Sequence, residues 1–591
     1  MKRINKILFL ILLSKSSSFC QDFISVKIDE NIFSNHTNDT IHLPFWDDFS
    51  KNKIDNNNWS FYDDISLRNY NNNNAPSLNV IELDGLDANG NPYNEIYEQG
   101  VSDVIISDII NLIDKKDEDS IFMSFFWNYN INGEFPDYED SIKLEFLNKN
   151  NNWDLVWSKI GGSENFHGNY FKYEILNIKE KYLHNNFKFK FSNIGNSEGP
   201  FDSWVLDYIY INSNRNENDS TFLDRTLSYS PSRLFKEYFS IPIKHFDKAN
   251  NILDSLEITI NNLDENIQPI NYSYLVSTDN PYSSTFIEEK KQLSPILNGF
   301  ESRKIKTKNI DLMNIDLMNI DLESDSLNIN LKFFITSGDS IYANTNYLNN
   351  DTSSYDISFS NYYSYDDGTP EFAAGLNQKN AELIVEFKTL KKDTLTHLAL
   401  IFPNTNNEYS GNINLIGYKD YNDEKLFNQT EFISYDNKKL NLFKLKNPIL
   451  VEDTFYVGFK QNNNNFLPVG LDKNTNSSNK IFYKVDGMWN QNTVINGSFI
   501  IRPVFGKTDY ILTSTNEIEI EKSLNIYPNP SNGKFYLSET ADIIFILNSE
   551  GKKIINLKST NEINLENYPK GNYIIVIQKN SFVITKKIIL N

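Results

Sequence analysis

Apolar and polar residues alternate along much of this chain. Ser141–Leu147 (SIKLEFL) sets Ile142, Leu144 and Phe146 on one face and Lys143 and Glu145 on the other. Phe187–Phe191 (FKFKF) alternates just as strictly. Successive side chains of a strand point to opposite faces, so such runs read as half-buried antiparallel strands. Clusters of Asn, Asp and Gly interrupt them, as at Asn71–Asn74 and Asn462–Asn465, and mark loops. Few segments carry a 3.6-residue period. The expected fold class is all-β, with several β-sandwich domains in series.

The pattern divides the chain four ways, at residues 43–213, 226–345, 360–506 and 523–591. Asn212–Ser220 and Lys507–Lys522 are polar, short of large hydrophobic residues, and read as linkers. A five-residue unit stands in tandem from Asn309, Asn314 and Asn319. Three such short units bury nothing, so they predict a surface loop and not a solenoid.

Composition narrows the function classes. The chain has 591 residues and is 14% aromatic, with 42 Phe and 33 Tyr, so it is folded and not a disordered chain. Its 56 basic and 78 acidic residues give a charge of −22, which repels phosphate backbones and excludes nucleic acid as a partner. Cys20 is the single cysteine, so there is no internal disulfide and no cysteine-based metal site. Met1–Cys20 carries a basic start, the apolar run Ile7–Leu13 and small residues at its end. That is a signal peptide at 1–20, cut before Gln21, with Ser18 and Cys20 in the small-residue positions. The competing lipoprotein reading would lipidate Cys20, but Phe19 before it is not small. The cut removes four basic residues and leaves 52 − 78 = −26. No other stretch is long and apolar enough for a transmembrane helix.

The last residues carry a more specific signal. Leu524–Leu537 reads LNIYPNPSNGKFYL, where Pro528 and Pro530 fix φ, withhold amide donors and end the strand pairing. A hairpin turns at Ser549-Glu550-Gly551, Tyr568–Tyr573 (YPKGNY) turns again, and the chain ends Lys586-Lys587-Ile588-Ile589-Leu590-Asn591. In this order the motifs resemble the type A C-terminal sorting domain of Bacteroidetes type IX secretion cargo. The resemblance rests on Tyr527, Pro528, Asn529, Pro530, Gly533, Gly551, Pro569, Gly571, Tyr573, Lys586 and Lys587. It implies a small β-sandwich, read by the outer-membrane translocon, on a protein secreted or held at the cell surface.

A second resemblance covers the first sandwich. Pro44–Phe49, Trp59, Asp84–Asp87, Phe122–Trp127, Trp153–Trp157 and Trp204–Tyr208 are similar to a MAM-like or concanavalin-like jelly roll. It implies a structural calcium near the two ends of the domain, where Asp48 and Asp207 lie. Asp84, Asp87 and Asn89 form an acidic, Gly-punctuated loop of hard oxygen donors that also suits calcium. Tyr365–Glu371 (YDDGTPE) and Gly497–Val504 recur in cargo of this kind.

Catalytic motifs are missing. The six histidines form no H-x-x-x-H pair, there is no G-x-S-x-G elbow, and removal of Cys20 leaves no thiol. Adjacent carboxylates such as Asp47-Asp48 and Asp366-Asp367 point to opposite strand faces, so neither is a glycosidase pair. Tyr62, Tyr70, Tyr93 and Tyr97 fall in loop-like stretches and are candidate surface rings for sugar stacking. The expected role is binding or adhesion to glycan or protein. The alternatives are a secreted hydrolase with dispersed catalytic groups and a structural surface component.

Overall fold

The computed structural model describes residues 24–27, 40–506 and 526–591, apart from 52, 63–64, 69–74, 88–92, 94–98, 130–134, 163–169, 198–200, 229–234, 236, 247–256, 280–281, 309–326, 343–344, 404–411, 436–438, 548–552, 567 and 580–581. The signal segment, the tandem repeat, Asn71–Asn74, Asn89, Gly551, Tyr70, Tyr97 and Lys507–Lys522 lie outside the described residues. The chain forms two compact units, Met1–Gly506 and Lys507–Asn591. It is all-β: strands pair antiparallel, and each helical element given for the described residues is a three-residue 3-10 turn. Among the described residues no helix is long and apolar enough to cross a membrane.

Two sheets open the first unit. One runs Lys172–Asn177, Phe122–Tyr129, Trp204–Asn212, Val80–Leu83, Ser66–Arg68, with Phe45–Asp47 also on Trp204–Asn212. The other runs Trp59–Phe61, Gln99–Ser107, Phe189–Asn196, Ser141–Leu147, Trp153–Ile160. The alternation read in the sequence sets their faces. Ile142, Leu144, Phe146, Phe187, Phe189 and Phe191 are fully buried, while Lys190 reaches Glu145 at 2.6 Å across the other face. Each such side chain contributes about 1.5–3 kcal/mol of burial. Aromatic rings fill the space between the sheets: Trp204 packs edge-on against Tyr129 at 4.8 Å, and Phe125 against Trp157 at 5.0 Å.

Asn212–Ser220 is not a free linker. Arg215 is buried there, and its guanidinium donates to the Phe122 and Tyr210 carbonyls, the Tyr173 hydroxyl and Asp219. One arginine turns a run of Asn, Asp and Glu into a packed corner.

Beyond it lie a three-stranded sheet (Arg225–Leu227, Glu257–Asn262, Ser302–Lys306) and a four-stranded one (Tyr282–Gln292, Asn271–Asp279, Leu327–Thr336, Thr352–Phe359). Next comes a six-stranded sheet running from Lys425–Phe432 to Met488–Gln491, and a three-stranded sheet of Asn441–Val451, Asp393–Leu400 and Ile501–Phe505. A single hydrophobic core continues through these stretches, from Leu227 to Phe505. A four-stranded sheet takes its outer strand from the start of the chain, with Ile24–Lys27 pairing Phe372–Gly375.

In the second unit Lys534–Leu547 pairs Lys553–Asn564 on one side and Ile526–Tyr527 and Gly571–Lys579 on the other, and Phe582–Leu590 pairs Gly571–Lys579. Phe535, Leu537, Ile563, Ile575 and Ile588 form its separate core.

Candidate functional site

An aromatic cleft lies in the first unit, where the first sandwich meets the sheets that follow it. Its volume is about 310 Å³, and Phe126, Tyr170, Phe171, Tyr173, Phe222 and Phe300 line it with Pro76, Asn261, Asn262, Leu263, Glu301 and Ser302. Tyr170 is 68% exposed and Phe300 56% exposed, so two ring faces stand open to solvent at the cleft. Phe300 holds a left-handed backbone, with φ of 57°. A bulky residue rarely adopts that conformation, and such strain concentrates where a side chain must be presented. The turn before it is tight: a Cβ on Gly299 would lie 1.9 Å from the Glu265 carbonyl oxygen. Polar atoms punctuate the rings. Asn261 Nδ2 donates to the Ala75 carbonyl at 2.9 Å while its Oδ1, buried, has no partner. Glu301 is the one carboxylate of the lining, and it is engaged by the Asn298 amides and by Arg303.

Sequence reasoning looked for surface rings elsewhere. Tyr62 is 5% exposed, and the Tyr93 hydroxyl donates to Asp103 at 2.6 Å. Tyr170 and Phe300 carried no local signal, since tertiary packing alone decides which loop aromatics stay open.

A carboxylate centre stands directly behind the cleft. Asp48 and Asp207 are both buried and are brought together by Ser77, whose hydroxyl reaches the Asp48 carbonyl at 2.5 Å and Asp207 Oδ1 at 3.1 Å. Asp224 and Asn350, from the sheets beyond the sandwich, complete the centre. Asn350 Nδ2 donates to Asp48 Oδ2 at 2.8 Å and to Asp224 Oδ2 at 2.9 Å, and the Tyr208 hydroxyl donates to Asp224 Oδ2 at 2.6 Å. Burial holds Asp207 well above the usual carboxylate range, with the Asp48 charge adding to it. Burial does the same to Asp224. A polar pocket of about 470 Å³ includes Asp47, Asp48 and Lys51 in its lining. Burial pushes Asp47 up to about 6.

The other residues of the calcium expectation sit apart. Asp84 is fully buried, accepts the Leu86 amide at 2.8 Å and donates its own amide to Asp103 at 2.7 Å. Because Leu83 pairs with Trp204, Asp84 and Asp207 are four positions apart along this ladder. At 3.3 Å per residue that is about 13 Å, too far to share an ion. Asp87 is half-buried, and Asn89 lies outside the described residues.

Among the described residues two clusters, unlike the Asp48 centre, place three carboxylates within 4.8 Å of one another: Asp137, Asp140, Asp202, and Asp367, Glu371, Asp472. The second joins the YDDGTPE stretch to the strand ending at Asp472. Its oxygens are met by the chain itself: Asn474 Nδ2 donates to Asp367 and Glu371 at 3.1 and 3.0 Å, Lys473 N–H to Glu371 at 2.8 Å, and the Thr475 hydroxyl to Asp472 at 2.7 Å. Burial and the Asp367 charge push Glu371 up to about 7. The neighbouring Asp366 forms a buried ion pair with Arg502, whose guanidinium lies 4.7 Å from the Tyr362 ring centre. Gly368 fits here because its φ is 102° and a Cβ would lie 3.2 Å from the Arg502 guanidinium. The two recurring stretches noted in the sequence therefore meet in one buried pair.

In the terminal unit the motif residues fasten the turn to the final strand. Asn529 Nδ2 donates to the Lys587 carbonyl and its Oδ1 accepts the Ile589 amide, both at 2.9 Å. Ser531 N–H reaches the Ile589 carbonyl at 3.0 Å. Gly533 has φ of 153°, and a Cβ there would lie 2.4 Å from Glu566 Cγ. The Tyr573 hydroxyl donates to the Pro569 carbonyl, and Gly571 has φ of 148°. Tyr527, Pro528, Asn529, Pro530 and Lys587 remain exposed. Residues 525–591 match the family model described as secretion system C-terminal sorting domain. This unit is a type IX sorting domain. The sorting domain implies recognition by the type IX secretion machinery and export beyond the cell, to the medium or to the surface.

No curated protein matches the chain. Among solved structures it is similar to the Endo-D glycoside hydrolase domain from Streptococcus pneumoniae R6 (8% identity, 54% of this chain and 44% of that one, TM-score 0.19). It is similar also to Bacteroides uniformis beta-glucuronidase 2 (11%, 53% and 35%, TM-score 0.20). A third is the CBM22-1-CBM22-2 tandem domain of Paenibacillus barcinonensis Xyn10C (8%, 78% and 97%, TM-score 0.18). The chain thus spans less than half of the two hydrolases. All three scores lie far below 0.5, and no property is carried over from them.

Proposed function

We propose that this exported chain is a carbohydrate-binding protein that works at or beyond the cell surface. The observation that carries the reading is the aromatic cleft with Tyr170 and Phe300 open to solvent. Sugar rings present C–H faces that stack on aromatic side chains, and their hydroxyls need scattered acceptors and donors such as the exposed Ser220 and Ser302 of the lining. Hydrolysis of a glycosidic bond requires two carboxylates facing each other across the bond. The cleft lining offers Glu301 alone, and that group is committed to Asn298 and Arg303.

The test is a glycan array probed with the exported chain, followed by calorimetry on the best ligand. Replacing Phe300 and Tyr170 together by Ala is expected to weaken binding by about 1–3 kcal/mol, the sum of two stacking contacts at about 0.5–1.5 kcal/mol each. Retained affinity in the double variant sinks the assignment to this cleft. A chain that binds a protein array and no glycan makes the partner a protein.

A further inference from the structure

We propose that the outward face of the six-stranded sheet is a second binding platform, apart from the cleft, for an anionic glycan. One face of this sheet turns Leu383, Val385, Leu415, Val457 and Phe459 into the main core. The opposite face of an antiparallel sheet is polar where water alone covers it. Here it is aromatic. Tyr418 and Tyr456 stand opposite each other on neighbouring strands. Both are buried, with Ile384 and Ile416, beneath a layer of half-buried rings: Tyr421, Phe482 and Trp489. Tyr421 stacks on Phe482 at 5.1 Å, and the Trp489 ring meets Tyr418 edge-on at 5.7 Å and Tyr421 at 5.8 Å.

The polar groups among these rings fall into two sets. The inner set is closed. Gly458, on the strand between, presents no side chain, and the Tyr418 hydroxyl reaches across that strand to Glu382, which Lys425 also meets at 2.7 Å. Glu386 likewise accepts the Tyr456 hydroxyl at 3.1 Å and the Lys480 ammonium at 2.7 Å. The outer set is open. The Trp489 indole N–H and the Tyr421 hydroxyl have no partner and reach solvent. Lys460 and Lys484 flank Glu382 on the strands to either side. Among the described residues neither ammonium is ion-paired, and Lys484 lies over the Trp489 ring, 5.5 Å from its centre. Asp420, in the turn beside Tyr421, is engaged by the Asn422 amides at 2.9 and 3.2 Å. The charges left over around Glu382 are therefore both positive, on a chain whose net charge is −22.

A sugar ring bearing a carboxylate or a sulfate answers every open group. Its C–H face lies on Trp489 and Tyr421, its hydroxyls meet the indole N–H and the phenol, and its anion takes the ammoniums. The platform and the cleft share no residue, so either can fail alone.

The experiment uses the exported full chain. Polygalacturonate, dextran sulfate and plain dextran are compared by affinity electrophoresis and calorimetry at low and high salt. The proteins are the natural chain, Phe300→Ala with Tyr170→Ala, Trp489→Ala, and Lys460→Gln with Lys484→Gln. The expected result is binding of an anionic chain and not of dextran, weakened by salt and kept when the cleft rings are gone. Which anionic chain binds separates a carboxylate ligand from a sulfate one. Trp489→Ala is expected to weaken binding about tenfold. The lysine variant is expected to lose roughly fivefold and to flatten the salt dependence. It breaks no ion pair, so it keeps its fold even where Trp489→Ala does not. The proposal is overturned by a natural chain that binds neither anionic polymer, by equal binding of dextran, by natural affinity in either folded platform variant, or by binding that is lost instead with the cleft rings.

Discussion

Glu371 illustrates how one side chain's surroundings become a measurable property. Burial and the Asp367 charge hold its carboxyl up to about 7 against an ordinary 4.5. A carboxyl whose pKa is raised in the folded state favours folding below the unfolded value, and that contribution is lost as pH rises through the folded value. Glu371→Gln keeps the shape and removes the charge. The variant should match the natural chain near pH 4.5 and gain on it until about pH 7, by up to about 1.4 kcal/mol for each pH unit of that span. Urea unfolding of both chains at pH 5 and pH 8 checks this, and an equal difference at the two values would refute it. At this scale the strand faces were legible: Ile142, Leu144 and Phe146 point inward, as their alternation requires. The partners of charged residues were not. Nothing in a linear sequence says that Asp366 meets Arg502, or that Asp48 shares an amide with Asp224, because each pair is made by tertiary packing.

Elements tell a similar story. The sorting-domain motif was readable because its residues serve a local geometry that only a few side chains allow. Gly533 shows this most directly, with a left-handed backbone and no room for a Cβ beside Glu566. Gly533→Val is therefore expected to loosen the turn that accepts the final strand. Hydrogen exchange should report faster opening of the Ile588–Leu590 amides, by about 1–3 kcal/mol, with the amides of the first unit unchanged. Equal protection in the variant would mean that the turn tolerates a side chain. The corner at Asn212–Ser220 was misread for the converse reason: its order comes from Arg215 folding back onto the Phe122 and Tyr210 carbonyls of two neighbouring strands of one sheet. The placement of Asp84 shows the same limit. The loop suits calcium by composition, but the pairing of Leu83 with Trp204 sets it apart from Asp207.

The whole molecule is a large first unit, Met1–Gly506, followed by a small exported tag. Deletion of residues 525–591 should therefore leave the first unit folded and stalled in the periplasm. Fractionation of the native host with an antibody to the first unit checks it, and normal amounts in the medium would refute the role of the sorting domain. Within the first unit the hydrophobic pattern revealed sandwiches, and it could not reveal that one core runs from Leu227 to Phe505. Apolar faces look alike whichever sheet they meet.

The strand Ile24–Lys27 closes one side of the sheet that holds Phe372–Gly375. The expected cut before Gln21 leaves only Gln21, Asp22 and Phe23 ahead of that strand. Loss of this strand would uncover a row of unpaired amides and carbonyls on Phe372–Gly375, a ready template for a neighbouring molecule to add to. Ile24–Lys27 thus covers an edge that would otherwise be open to self-association.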